Sequence, residues 1–161
     1  MRVARSALVL CLAAVAAAAQ AGTVAVTFAE NGPFADAGRA TGEQEANLRV
    51  IAHHLQSLGE RHLPADQTLR IEVTAVDLAG EPRPSFRRGG DVRVANGRAD
   101  FPRIGLRYSL ESNGRVIKSG DETVTDLDYA HRIGVRRTSD SLPYEKQMLD
   151  RWFRTQFLAA H

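Results

Sequence analysis

Apolar and polar residues alternate from Thr68 to Leu78, with Leu69, Ile71, Val73 and Ala75 on one side and Arg70, Glu72, Thr74 and Val76 on the other. Period-2 alternation predicts a strand with one buried face. Arg103 to Ser112 repeats it: Ile104, Leu106, Tyr108 and Leu110 face one way, and Arg103, Gly105, Arg107 and Ser109 the other. Asn113-Gly114 follows, a turn pair suited to positive φ at both centres, so Arg115 to Thr125 reads as the returning strand. Thr23 to Phe28 is a further strand, with Val24, Val26 and Phe28 on one face, and Asp91 to Ala95 a short one before a turn at Asn96-Gly97. The period changes from Glu43 to about His62, where Leu48, Ile51, Leu55 and Leu58 form a helical stripe. Thr41 is its expected N-cap, Glu45 and Arg49 an i,i+4 pair, and Pro64 its stop. A last helix opens near Ser141-Leu-Pro143, with Ser141 the expected N-cap and Met148, Leu149, Trp152, Phe153 and Phe157 its apolar face.

Two segments fit neither period. Gly80 to Gly90 carries prolines, glycines and arginines and reads as an exposed loop; Tyr129 to Asp140 is polar and reads as irregular. Strands cluster in the middle instead of alternating with helices. The expected fold is therefore α+β, an antiparallel sheet of four to five strands with two helices on one face.

The first 21 residues stand apart. Met1 to Arg5 is basic, Ser6 to Ala19 is apolar and Ala-rich, and Ala19-Gln-Ala21 has the small-x-small pattern of a leader cleavage site. The apolar run is shorter than the 20 or so residues of a spanning helix. Cys11 follows Leu10 in mid-run, which is not the setting of a lipidated cysteine. The expected organisation is a cleaved secretory signal at 1–21, cut after Ala21, and one domain over 22–161 in a bacterial periplasm, with no membrane span. Cleavage removes Cys11, the only cysteine, and with it any disulfide, thiolate ligand or thiol nucleophile. It also removes Arg2 and Arg5, which equalises the 21 basic and 19 acidic side chains. A global basic field for nucleic acid or anionic lipid is thus not expected.

No strong catalytic motif emerges. His54 and His62 lie about 12 Å apart along the first helix, His53 and His62 are on opposite sides, and the i,i+4 spacing of a zinc helix is absent. Asp126-x-Asp128 lacks the glycine bend of a calcium loop. No metal site or cofactor is expected. There is no G-x-S-x-G elbow or S-x-x-K, and Gly89-Gly90 is no phosphate loop. Asp77, Asp91 and Asp100, at strand ends and turns, are the alternative acid/base set, if burial separates their proton affinities.

The arginines are more distinctive. Arg83, Arg87, Arg88 and Arg93 gather around one irregular segment, with Phe86 among them; Arg132, Arg136 and Arg137 gather in the other, near Tyr129. Guanidinium groups grip carboxylate and phosphate in bidentate fashion, and arginine beside aromatic residues is typical of binding hot spots.

Several strings also carry a family likeness. Ile71-Glu-Val-Thr-Ala-Val-Asp-Leu-Ala-Gly80, Asp91-Val-Arg-Val94, Ala99-Asp-Phe-Pro-Arg-Ile104, Leu106-Arg-Tyr108 and Tyr144-Glu-Lys-Gln-Met-Leu149 with Trp152-Phe153 resemble an exported bacterial family known as a domain of unknown function, DUF family 3016. The resemblance spans nearly all of the chain after the leader. It implies a one-domain Gram-negative envelope protein and brings no catalytic residues with it. The functional expectation is a non-enzymatic binding or accessory module. It would recognise an envelope protein or a small anionic ligand through Arg83, Phe86, Arg87, Arg88, Arg132, Arg136 and Arg137. A small periplasmic hydrolase using Asp77, Asp91 or Asp100 is one alternative and a structural homo-oligomer another; the oligomeric state stays open.

Overall fold

A computed structural model describes residues 21–34, 36–38, 40–85, 90–97, 99–131 and 141–158. The order is β1 (Thr23–Phe28), α1 (Thr41–His62), β2 (Gln67–Asp77), β3 (Glu81–Ser85), β4 (Gly90–Val94), β5 (Arg103–Ser112), β6 (Arg115–Thr125), a 3₁₀ turn (Tyr129–His131) and α2 (Pro143–Phe153), which runs on into a π turn (Arg154–Leu158). Four strands form one sheet in the order β1-β2-β5-β6, while β3 and β4 form a separate two-stranded ribbon. The fold is α+β, as the strand and helix periods indicate.

The β2–β5 and β5–β6 pairs are antiparallel, but β1 and β2 run parallel, with Val24 opposite Leu69 and Phe28 opposite Val73. The helix α1 supplies the crossover that a parallel pair requires. At the β5–β6 turn, Asn113 and Gly114 take φ values of 49° and 76°, the positive pair expected of this dipeptide.

Both helices cover one face of the sheet. Ile51, Leu55 and Leu58 of α1 and Met148, Leu149, Trp152 and Phe153 of α2 share a buried cluster with Leu69, Ile71, Leu106, Tyr108 and Leu110. His54 clasps the helices together. Its Nε2 lies 2.9 Å from Asp150 Oδ1 and 3.2 Å from the Lys146 carbonyl; burial pushes its proton affinity down and Asp150 opposes that. The other face is polar, and Arg107 there pairs with both Glu72 (2.7 Å) and Asp121 (3.0 Å).

Three local expectations need correction. Thr41 is not a cap but the first helical residue: Ala40 is the N-cap, without a side-chain hydrogen bond. Ser141 does not cap α2 either. Leu142 holds that position in the left-handed region, with φ 53°, half-buried against the core. The segment read as an exposed loop contains β3, paired with β4 from Glu81 opposite Val94 to Ser85 opposite Gly90. Pro82 and Pro84 are two residues apart, so both missing N–H groups face one edge and the other edge keeps its donors.

Candidate functional site

A dense polar lattice lies at one pole of the sheet, where β2 ends, the ribbon is rooted and α2 begins. It is built on backbone geometry first. Gly80 turns the chain out of β2 with φ 75°, and a Cβ there would stand 2.8 Å from the Val94 carbonyl oxygen. Its N–H donates to the Asp100 carbonyl at 3.0 Å. The Asp100 carboxylate accepts from the Asn96 N–H at 2.8 Å and from the Tyr129 hydroxyl. Tyr129 is 1% exposed and packs edge-to-face on Tyr144, ring centres 4.9 Å apart. Burial and then Asp100 push the proton affinity of the Tyr129 hydroxyl up, so it stays a donor.

Glu145, in the first turn of α2, is 2% exposed, and its Oε1 accepts the Ala79 N–H at 2.7 Å. Burial raises its proton affinity, against the backbone N–H groups and Arg93. Arg93 of β4 ties the ribbon back. Its Nε donates to the Ala79 carbonyl and one terminal nitrogen to the Leu78 carbonyl, each at 3.0 Å, and it also meets the Asp36 carboxylate at 3.1 Å.

Asp36 and Asp77 form a neighbouring carboxyl pair, linked through a parallel bridge. Asp77 binds its proton more tightly than usual through partial burial and then its hydrogen bond with Asp36; Arg103, 3.3 Å away, and Arg93 pull the other way. The Arg103 guanidinium also lies 4.4 Å over the Phe101 ring. Beside the pair is a cavity of about 400 Å³, lined by Pro33, Asp36, Ala75, Val76, Asp77, Arg103, Gly105 and Thr123.

Of the sequence-derived candidates, Arg83 sits exposed on β3, 3.4 Å from Glu81. Phe86, Arg87, Arg88, Arg132, Arg136 and Arg137 lie outside the described residues. Among the alternative carboxylates, Asp77 is brought to Asp36 and Asp100 to Tyr129, so each has a different partner. Asp91 pairs in β4 opposite Pro84, and its side chain is outside what is described. Arg103 and Arg107 do not share a carboxylate: Arg103 takes Asp77, and Arg107 takes Glu72 and Asp121. Sequence reading missed Asp36, Tyr129 and Glu145 as members of the lattice. Glu145 carries a weak local signal, an acid in the first turn behind a proline; Asp36, in an irregular segment, carries none.

Two other concavities flank the sheet. One, about 490 Å³, lies between the end of β6 and α2; Glu122 accepts there from Trp152 Nε1 at 3.0 Å, and the buried Asp126 pairs with Arg151. The other, about 530 Å³, is a trough on the polar sheet face. Among the described residues no group of three or more His, Cys, Asp or Glu is placed to hold a metal ion, and no helix is long and apolar enough to cross a membrane.

Fold and site define an α+β domain with two helices on one sheet face and an arginine–carboxylate lattice at one pole. The chain belongs to the family described as a protein of unknown function, DUF3016, whose model matches residues 22–155. No curated protein matches. Among solved structures, the PelC dodecamer from Paraburkholderia phytofirmans is similar at 15% identity over 82% of each chain, with a TM-score of 0.32; at that level the likeness defines neither fold nor assembly.

Proposed function

We propose that this is an exported Gram-negative periplasmic protein that binds without catalysis. The ligand is an acidic patch on an envelope protein or a small anion, gripped by the arginines of residues 80–91 and 129–140. The observation that carries this reading is that both segments are rooted on one residue. The Asp100 carbonyl accepts from Gly80, where the first begins, and its carboxylate accepts from Tyr129, where the second begins. Tyr144 and Glu145, just beyond the second segment, pack on Tyr129 and bond Ala79 respectively. Six arginines of these stretches, Arg83, Arg87 and Arg88 with Arg132, Arg136 and Arg137, thus belong to segments that start from one braced platform. Bidentate contacts to carboxylate or phosphate follow from guanidinium geometry. Reversing Arg87, Arg88, Arg136 and Arg137 together to Glu should abolish recovery of the partner after crosslinking in living cells, with the melting temperature nearly unchanged. Undiminished recovery would sink the idea.

Export is supported by the start of the family match at residue 22 and of β1 at Thr23, directly after Ala19-Gln-Ala21. The N–H of Gly22 is bonded to the Leu63 carbonyl at 2.9 Å, so a cut after Ala21 leaves the fold's first hydrogen bond in place. N-terminal sequencing of the protein from a periplasmic extract should begin at Gly22.

One observation favours a hydrolytic reading, the Asp36–Asp77 pair beside its cavity. Paired carboxylates whose proton affinities separate can serve as acid and base. Turnover in a screen of ester, phosphoester and cell-wall substrates, lost in both Asp36→Asn and Asp77→Asn, would establish it. No turnover would remove it.

A further inference from the structure

We infer that β1 is a self-association edge, through which two copies of this chain pair antiparallel about Ala25 and join their sheets into one. The strand stands first in the sheet order, and its ladder with β2 runs without a register shift. The N–H of Ala29 donates to the Val73 carbonyl at 3.0 Å, which sets the phase of that ladder. Successive residues of a strand turn their N–H and C=O groups to opposite edges. Thr23, Ala25 and Thr27 therefore bond to β2, while Val24, Val26 and Phe28 turn theirs outward. Among the described residues, no backbone hydrogen bond meets these outward groups. Free edges are normally blunted by proline, charge, a bulge or a covering element. The opposite edge, β6, follows that rule: it carries Arg115, Lys118, Asp121 and Glu122, and its ladder with β5 slips between Leu110 and Glu111. From Thr23 to Phe28, β1 has no charge and no proline, the composition of a segment that pairs readily with another strand.

The strand is its own complement. Thr23-Val-Ala-Val-Thr27 reads the same in both directions. Antiparallel pairing about Ala25 sets Thr23 against Thr27 of the second copy, Val24 against Val26, and Ala25 against itself. The first two contacts occur twice, because a two-fold interface repeats each pair. The outward backbone groups of Val24 and Val26 then exchange N–H···O=C bonds. Ala25 meets its copy as a non-hydrogen-bonded pair, with Cα atoms about 4.5 Å apart. The faces match too. Val24 lies in the core and Val26 packs against it, while Thr23, Ala25 and Thr27 are exposed on the other face. Odd residues meet odd and even meet even, so both helical layers lie on one side of the joint sheet. Valine opposite valine and threonine opposite threonine are pairs that stabilise a sheet. Centring on Val26 instead sets Val24 against Phe28 and takes Thr23 to Ala29, beyond the strand. Centring on Val24 takes Thr27 to Ala21, which a chain beginning at Gly22 does not have.

The test uses a chain of residues 22–161, which has no cysteine of its own. It should dimerise in sedimentation equilibrium over a micromolar concentration range. Ala25→Cys alone should give a disulfide dimer on mild oxidation, because its two Cα atoms lie within the span of a disulfide. Thr23→Cys alone and Thr27→Cys alone should stay uncrosslinked, and their mixture should crosslink. Charge gives a second reading. Thr23→Lys with Thr27→Lys opposes like charges twice and should weaken the dimer about tenfold; Thr23→Glu with Thr27→Lys opposes unlike charges and should strengthen it by a similar factor. Both variants lose the 3.5 Å bond from the Thr27 hydroxyl to the Ile71 carbonyl, so the difference between them reports the interface. Their far-UV spectra should match that of the parent. A monomer at every concentration would overturn the proposal. So would a dimer that responds alike to both charge variants, or one in which Ala25→Cys does not crosslink, since these place the interface or the register elsewhere.

Discussion

Glu145 is a carboxylate held at 2% exposure on the backbone N–H groups of Ala79 and of Glu145 itself, and its chemistry sets a pH dependence. Burial raises its folded-state proton affinity above the usual value of 4.5. Below that value the carboxyl is neutral in both folded and unfolded chains, and its contribution is complete. As pH climbs through the raised folded value, the unfolded chain ionises more readily and stability is lost. Glu145→Gln keeps an oxygen for Ala79 and removes the ionisation, so urea midpoints from about pH 4 to about pH 8 should fall for the parent and lose most of that slope in the variant. Glu145→Ala orphans the Ala79 N–H and should cost about 1–3 kcal/mol at every pH. Tyr129→Phe strips a donor from Asp100 and should cost a similar amount, read in the same melts. Such pairings join residues 66 and 29 positions apart. The sequence singled out Asp77 and Asp100 by their place at strand ends, but their partners depend on how distant segments dock, and no local period encodes that.

At the level of elements, local pattern and packing pull apart at two glycines of α1. Gly42 has nothing within 4 Å of an added Cβ, whereas at Gly59 that atom would meet Val24 Cγ2 at 1.9 Å. Helix propensity alone favours alanine at both by up to about 1 kcal/mol. Gly42→Ala should therefore raise thermal stability. Gly59→Ala should lower it by about 1–3 kcal/mol, since α1 must lift from β1 or Val24 must leave its rotamer. A stabilised Gly59→Ala protein would show that α1 does not seat on β1 this closely. The same contrast explains what was legible. The period-2 runs returned β5 and β6 over the residues expected, 103–112 and 115–125, and α1 to within two residues at its start. Period is a property of one element and survives folding. Direction and pairing are not: β1 became parallel to β2 because a helix lies between them, and β3 was hidden because its prolines mask a strand whose other edge is free to pair.

The whole molecule is a sheet with one greasy and one charged face, and its hydrophobic core lies on the former. Its only cysteine, Cys11, falls within residues 1–21, which the export proposed above would remove. Melting of the processed protein should therefore be the same with and without reductant, and a shift would point to a covalent link that Cys11 cannot supply after cleavage. The start of the domain is testable in the same way. A chain beginning at Gly22 keeps the bond to Leu63 and the whole of β1, and should unfold cooperatively at the temperature of protein matured in cells. A chain beginning at Ala29 loses Val24, Val26 and Phe28, which close the core between α1 and β2. Removing three apolar side chains from that seam forfeits several kcal/mol of burial, against a total stability of about 5–15 kcal/mol for a domain of ordinary size. It also bares β2 as a new edge. That chain should lose its cooperative transition and aggregate; an intact, sharp melt would mean that β1 is dispensable and that the core closes without it.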